Sequence, residues 1–177
     1  MPQNEDRRFP AALAAAMAVR LDRLGEDGVD FEPYESFLTA DETTDWLRAW
    51  TGNSDLTGDA FRVFGQDGTG GYAAFWLVRQ GRELTEQPVV FMGSEGETGV
   101  VARDLGIFLW LLADGTGPWE AAALYDPEAD WTPRVDKDLA TIAEQHAPGR
   151  RASAPAIIAE ATREFPDFDD IVMGWCR

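Results

Sequence analysis

Between Leu105 and Ala113 the chain reads Leu-Gly-Ile-Phe-Leu-Trp-Leu-Leu-Ala, apolar at eight of nine positions. At helical spacing Leu105, Phe108, Leu109 and Leu112 form one stripe, and Ile107, Trp110 and Leu111 carry apolar surface around the remaining faces. The run is about half of what a bilayer span needs. A water-soluble fold must therefore cover this helix on both sides, which predicts a sheet against one face and another helix against the other. Asp114-Gly115 ends it as a C-cap does. The cover has to come from the rest of the 177 residues, of which 45% are apolar, including 7 Trp and 10 Phe. That is enough for the core of one domain and too much for a disordered chain.

Upstream, Pro10 stands where a first-turn proline is tolerated, and Leu13, Met17, Leu21 and Leu24 recur on one face, with Gly25 and Gly28 closing that helix. Thr39 with Glu42 three residues on is a capping box, opening a second helix that carries Trp46, Leu47 and Trp50 inward and stops near Gly52. The period then changes. Phe61 to Phe64, Tyr72 to Val78 and Pro88 to Met92 read as strands, the last with its proline at the first position, where a missing donor does no harm. Four glycines lie within Gly65 to Gly71, so the first two strands are expected to form a hairpin. A second glycine-rich loop, Gly93 to Gly99, is expected to lead into the apolar helix. The last third patterns as helices over Trp119–Leu124, Asp136–His146 and Pro155–Glu164, with Ala147 to Ser153 as the candidate linker.

Charge narrows the function classes. Fifteen Lys and Arg face 32 Asp and Glu, a formal net charge of -17. A field of that sign repels nucleic acid and anionic membranes. It speeds encounter with a basic partner, less so as salt rises, and it also serves plain solubility. Eleven of the acids fall between Asp22 and Asp59, against two arginines. Cys176 is the sole thiol, so no intrachain disulfide forms and a reducing cytosol suits the chain. The first nine residues are polar and charged, and no secretory signal pattern follows them, so the expected compartment is the cytoplasm.

Catalytic motifs fail one by one. Asp67-Gly68-Thr69-Gly70 is an aspartic-protease triplet broken by an inserted glycine, and a turn in which Asp67 bonds its own backbone is the simpler account. Neither glycine loop matches a phosphate-binding fingerprint, and Glu95 and Glu97 would repel a phosphate. One His and one Cys thirty residues apart cannot build a zinc site. Runs such as Asp167, Asp169 and Asp170 read as solvated faces, and His146 as a helix C-terminal residue favoured by the dipole. Acids are so abundant that no pair stands out as a glycosidase pair. No catalytic residue, metal ligand or cofactor site is assigned.

The order of elements from Phe61 to Gly115 does carry a resemblance. A hydrophobic strand, the Gly-Gln-Asp-Gly-Thr-Gly-Gly hairpin, the aromatic strand Tyr72-Ala73-Ala74-Phe75-Trp76-Leu77, then Pro88-Val89-Val90-Phe91-Met92-Gly93-Ser94-Glu95-Gly96 and a Leu/Phe-rich helix together resemble the SMI1/KNR4 (SUKH) family. A preceding helix bearing a Trp, here Trp46 or Trp50, is in keeping with it. The resemblance covers about the middle half of the chain. It implies an α+β fold, with one mixed or antiparallel sheet of about four to six strands flanked by helices. The expected layout is one domain over 1–177, with a core over about 35–125 and a helical C-terminal extension over 126–177. It implies no catalytic set. In bacteria many members are immunity proteins that bind and neutralise toxins, often nucleases, whereas fungal relatives are regulatory scaffolds.

Acidic charge and resemblance together point to a non-enzymatic protein-binding module with a basic toxin or nuclease domain as its partner. A scaffold with several weak partners is the alternative, and a carboxylate-dependent hydrolase a further one. The candidate binding residues are Asp27, Glu35, Asp41, Trp46, Asp67, Tyr72, Glu95 and Glu97, with the two glycine loops expected to help form the binding edge. Trp46 is also a candidate core residue, as are Trp76 and Trp110, whereas Trp119, Trp131 and Trp175 are expected to be partly exposed.

Overall fold

In a computed structural model, which describes residues 6–21, 29–123 and 132–177, the glycine-rich hairpin organises a five-stranded antiparallel sheet. Strand β1 is Glu32–Pro33, β2 Phe61–Gln66, β3 Tyr72–Trp76, β4 Val89–Met92 and β5 Thr98–Ala102, and they lie side by side in that order. The helices are α1 Ala11–Met17, α2 Ala40–Thr51, α3 Leu105–Ala113, α4 Pro118–Ala123, α5 Lys137–His146, α6 Ala154–Glu164 and α7 Phe168–Met173, with a 3-10 turn at Leu84–Glu86. This is the α+β class with an antiparallel sheet and helices around it. Among the described residues, no helix is long and apolar enough to cross a membrane.

The turn between β2 and β3 follows from its residues. Asp67 N donates to the Gly71 carbonyl at 3.0 Å, and the Asp67 carboxylate accepts from the backbone N–H of Thr69 at 2.9 Å and of Gly71 at 2.8 Å. Gly70 takes φ 94°, which a side chain would resist. Gln66 thus pairs with Tyr72, and the register runs back to Phe61 opposite Trp76.

Alternation splits the sheet between two cores. Phe64, Ala73, Phe75, Val89, Phe91 and Val101 face one side, with Leu13, Phe31, Phe37 and nearly all of α3. Val63, Ala74, Trp76, Val90, Met92 and Val100 face the other, with Leu47, Phe168 and Val172. Helix α3 is buried at eight of its nine positions, between the sheet core and Leu139 and Ala143 of α5, and the indole Nε1 of Trp110 donates to the Ala147 carbonyl at 2.9 Å. The two-sided cover that its composition requires is what the fold supplies.

Two local expectations need correction, and two others can be placed. Helix α1 stops at Met17, its last turn tightened by Val19 N bonding Ala16 O at 3.2 Å, so Leu21 lies beyond it and Leu24, Gly25 and Gly28 lie outside the described residues. The loop Gly93–Gly99 does not lead into α3. It turns β4 back into β5, with Met92 opposite Thr98, and α3 starts only after Arg103 and its N-cap Asp104. Asp167, Asp169 and Asp170 are exposed, as a solvated acid run should be, and the last two also occupy the first turn of α7, where the helix dipole favours them. The segment 147–153 does link α5 to α6 and is mostly exposed, but it is pinned at two points. Ala147 is buried, and Arg150 holds Asp104 through two bonds of 3.1 and 2.6 Å.

Candidate functional site: an aromatic row under two hairpin tips

Helix α2 begins as its sequence dictates. The Thr39 hydroxyl accepts from Glu42 N at 3.1 Å, while the Glu42 carboxylate accepts from Thr39 N at 2.8 Å. The Thr39 N–H, and the Thr39 hydroxyl donating to the same carboxylate at 2.9 Å, hold the Glu42 carboxyl below the ordinary glutamate value, with Arg7 adding a smaller attraction. Trp46 and Trp50, one turn apart, fall on the same face and stack at 5.4 Å with their planes 11° apart. On its other side Trp46 stacks on Tyr72 of β3 at 4.3 Å and 21°, and Tyr34 meets Tyr72 edge-on at 6.3 Å.

This row of four rings is only half-buried, unlike the sheet residues beside it. Its polar atoms are placed at both ends. The Trp50 indole donates to the Gly93 carbonyl at 2.8 Å, and the Tyr34 hydroxyl donates to Gln66 Oε1 at 2.7 Å. Burial, chiefly, together with Tyr72, Glu32 and Glu42, pushes the Tyr34 hydroxyl well above the ordinary tyrosine range, so it stays a neutral donor.

The two glycine loops come together above the row. Ser94 Oγ donates to Thr69 Oγ1 at 2.8 Å, and a side chain added at Gly71 would stand 2.8 Å from Gly93 Cα. Glu97 folds back over Gly93, whose missing side chain leaves room for that carboxylate. Loop, helix and strand thus share one surface.

Of the candidate binding residues, Trp46 and Tyr72 are in direct contact at the centre of the row. Glu35 is exposed beside Tyr34, and Asp41 is exposed in the first turn of α2. Glu95 is exposed at the second tip, and Glu97 is half-buried there. Asp67 is 2% exposed, its carboxylate engaged by Thr69 and Gly71, so it shapes its loop from within. Asp27 lies outside the described residues, as does Trp131. Trp76 and Trp110 are core, and Trp119 and Trp175 are half-buried. Tyr34, Trp50 and Gln66 belong to the site without having been singled out for it. The one sequence signal for Trp50 is its spacing of four from Trp46.

Chemically the surface offers stacking area, edge hydrogen bonds and negative charge. Among the described residues no three His, Cys, Asp or Glu side chains are grouped to hold a metal ion. Compared with protein-family models, with curated proteins and with solved structures, the chain matches none.

Proposed function

We propose that the chain is a non-enzymatic, SUKH-type protein-binding module that engages a basic protein domain through the Tyr34–Tyr72–Trp46–Trp50 row and the acids around it. In this reading it is a bacterial immunity protein, working in the cytoplasm, that occludes a cationic toxin domain such as a nuclease. The observation that carries the reading is the half-buried row itself. Trp and Tyr dominate binding hot spots because they cover large area at small entropic cost, and here four rings are already in contact, with the Trp50 indole and the Tyr34 hydroxyl bonded at the two ends. Glu35, Asp41, Glu42 and Asp45 lie on the same segment of chain, so a basic surface approaching the row meets like-signed charge throughout.

The test has two stages. Affinity capture of the tagged protein from its native host, with mass spectrometry at low and high salt, identifies a stoichiometric basic partner. Titration of that partner against variants then tests the surface. Trp46→Ala is expected to weaken binding by about 30-fold or more, as hot-spot truncations of roughly 2 kcal/mol do. Paired Glu35→Lys and Asp41→Lys changes are expected to slow association and flatten its salt dependence. Binding left intact by all three changes overturns the assignment of the surface. A set of weak, salt-tolerant partners with no rescue from a toxin would instead identify a scaffold.

A further inference from the structure

On the opposite side of the sheet edge, the N-terminal segment closes over β2 and leaves a cleft of about 390 Å³. Phe9, Pro10, Phe37 and Leu84 give it apolar walls, and Asp6, Arg8 and Arg62 line the rest. Phe9 meets Phe37 edge-on at 4.8 Å, and Leu84 lines the far side. Into this setting β2 sends Arg62, whose guanidinium lies 4.6 Å above the Phe37 ring and donates through one amino group to the Asp6 carbonyl. Its Nε is buried with no acceptor among the described residues.

Arg62 differs from Arg8, Arg150 and Arg79 in what balances it. Arg8 takes the Asp6 carboxylate through two bonds of 3.0 and 3.1 Å, Arg150 takes Asp104, and Arg79 takes Glu164. The larger cleft of about 490 Å³ lined by Arg79 and Arg150 is therefore already neutralised from within. Arg62 has no carboxylate at ion-pair distance among the described residues, although acids outnumber bases by 32 to 15. Asp6, the acid beside it, is already held by Arg8. Asp6, Arg8 and Arg62 all line the cleft, so two guanidiniums against one carboxylate leave it one positive charge beside apolar Phe9, Pro10, Phe37 and Leu84. The Nε is closed off, so the groups open to a ligand are the amino nitrogens, which can take a carboxylate.

From this we infer that the cleft is a binding site for a monocarboxylate carried on an apolar or aromatic body. The carboxylate supplies Arg62 with its missing counter-charge, and the body rests on Phe9 and Leu84. A single charge matches a monoanion better than a phosphate, and the walls favour an apolar body over a small hydrated ion. The ligand is either a free small molecule or the C-terminal carboxylate of a peptide, since both present the same chemistry. The inference is independent of the aromatic row.

Phenylacetate and its neutral isostere phenylacetamide, titrated into the full ¹⁵N-labelled chain by NMR, test it. Phenylacetate is expected to saturate with a Kd on the order of 1 mM, as its ten or so heavy atoms allow, and to shift amides at Arg8, Phe9, Phe37 and Arg62. Phenylacetamide is expected to bind at least about tenfold more weakly, because it lacks the charge-assisted bond. Arg62→Met should abolish the preference, while Arg163→Met, on the exposed side of α6, should keep it. Peptides ending in Leu-Phe with free and amidated C-termini separate the sources. Tighter binding of the free peptide than of phenylacetate identifies a peptide terminus, and equal binding identifies a small molecule. Equal affinity for acid and amide, shifts elsewhere, or no saturation at tens of millimolar would overturn the site. The acid–amide comparison on the unaltered chain holds even if the Arg62 variant misfolds.

Discussion

The indole of Trp50 reaches 2.8 Å to the carbonyl of Gly93, tying the last turn of α2 to the tip of the β4–β5 hairpin across 43 residues. The same tryptophan stacks on Trp46, so one side chain fixes both the row and the loop above it. Trp50→Phe keeps the ring and removes the donor. It is expected to cost about 1 kcal/mol in chemical denaturation and to speed amide exchange at Glu95 and Gly96 while β3 stays protected. Unchanged exchange at the tip would mean that the Ser94–Thr69 bond alone holds the loops.

The capping box at Thr39 predicts a second measurable effect. Thr39→Ala removes the acceptor for Glu42 N and the backbone geometry that Glu42 answers, and is expected to destabilise the fold by about 1 kcal/mol at neutral pH. Glu42 is held below its ordinary pKa of 4.5, so its contribution is full above that value and is lost as pH falls through the lowered one. The gap in Tm between wild type and Thr39→Ala should accordingly be widest near neutrality and narrow in acid. A gap that stays constant down to about pH 2 would show that only the hydroxyl matters.

How much of this was legible before the structure depends on whether a signal was local. The box at Thr39, the Asp67 turn and the all-round apolar helix were legible because each is written within four to nine adjacent residues whose chemistry leaves little choice. Strand β5 was not, since Gly99 interrupts it and Val100-Val101-Ala102 could as well have opened α3. Strand β1 was not, because it is two residues long, one of them Pro33, and exists only through its pairing with Gln66 and Gly65. The aromatic row was half legible. Trp46 and Tyr72 stood out as residue types, but their stacking depends on where α2 crosses β3, which no local pattern encodes. Arg62 was invisible as a site residue, because its isolation is a property of what surrounds it.

Gly65 tests the close approach of that β1 strap to the sheet. The glycine pairs with Pro33 and Ala73 at the irregularity in β2, and a Cβ there would run into the Phe31 ring and stand 2.9 Å from the Glu32 carbonyl. Phe31 is a core residue that meets Phe64 edge-on at 5.9 Å, so it has no free direction in which to retreat. Gly65→Ala is expected to destabilise by roughly 1–3 kcal/mol, with the loss of β1 protection preceding global unfolding in hydrogen exchange. Gly81→Ala, where φ is 72° but nothing lies within 4 Å, separates backbone strain from this steric effect.

Glu120, in α4, runs against the direction set by Glu42. One carboxylate oxygen accepts from Asp30 N at 2.8 Å, and the other is buried without a hydrogen-bond partner among the described residues. Burial is the largest influence and raises its pKa, opposed by the Asp30 N–H and assisted by the Asp30 charge. A carboxyl raised in the folded state is stabilising while protonated, and that contribution is lost as pH climbs from its unfolded value through the raised one. Glu120→Gln retains an acceptor for Asp30 N and cannot ionise. The variant is therefore expected to melt above wild type at pH 7 and to converge with it at about pH 4, where the wild-type carboxyl has taken up its proton. Melting curves across that range decide the matter. A Glu120→Gln protein less stable than wild type at pH 7 would mean that the ionised carboxylate, through its bond to Asp30, is worth more than its burial costs.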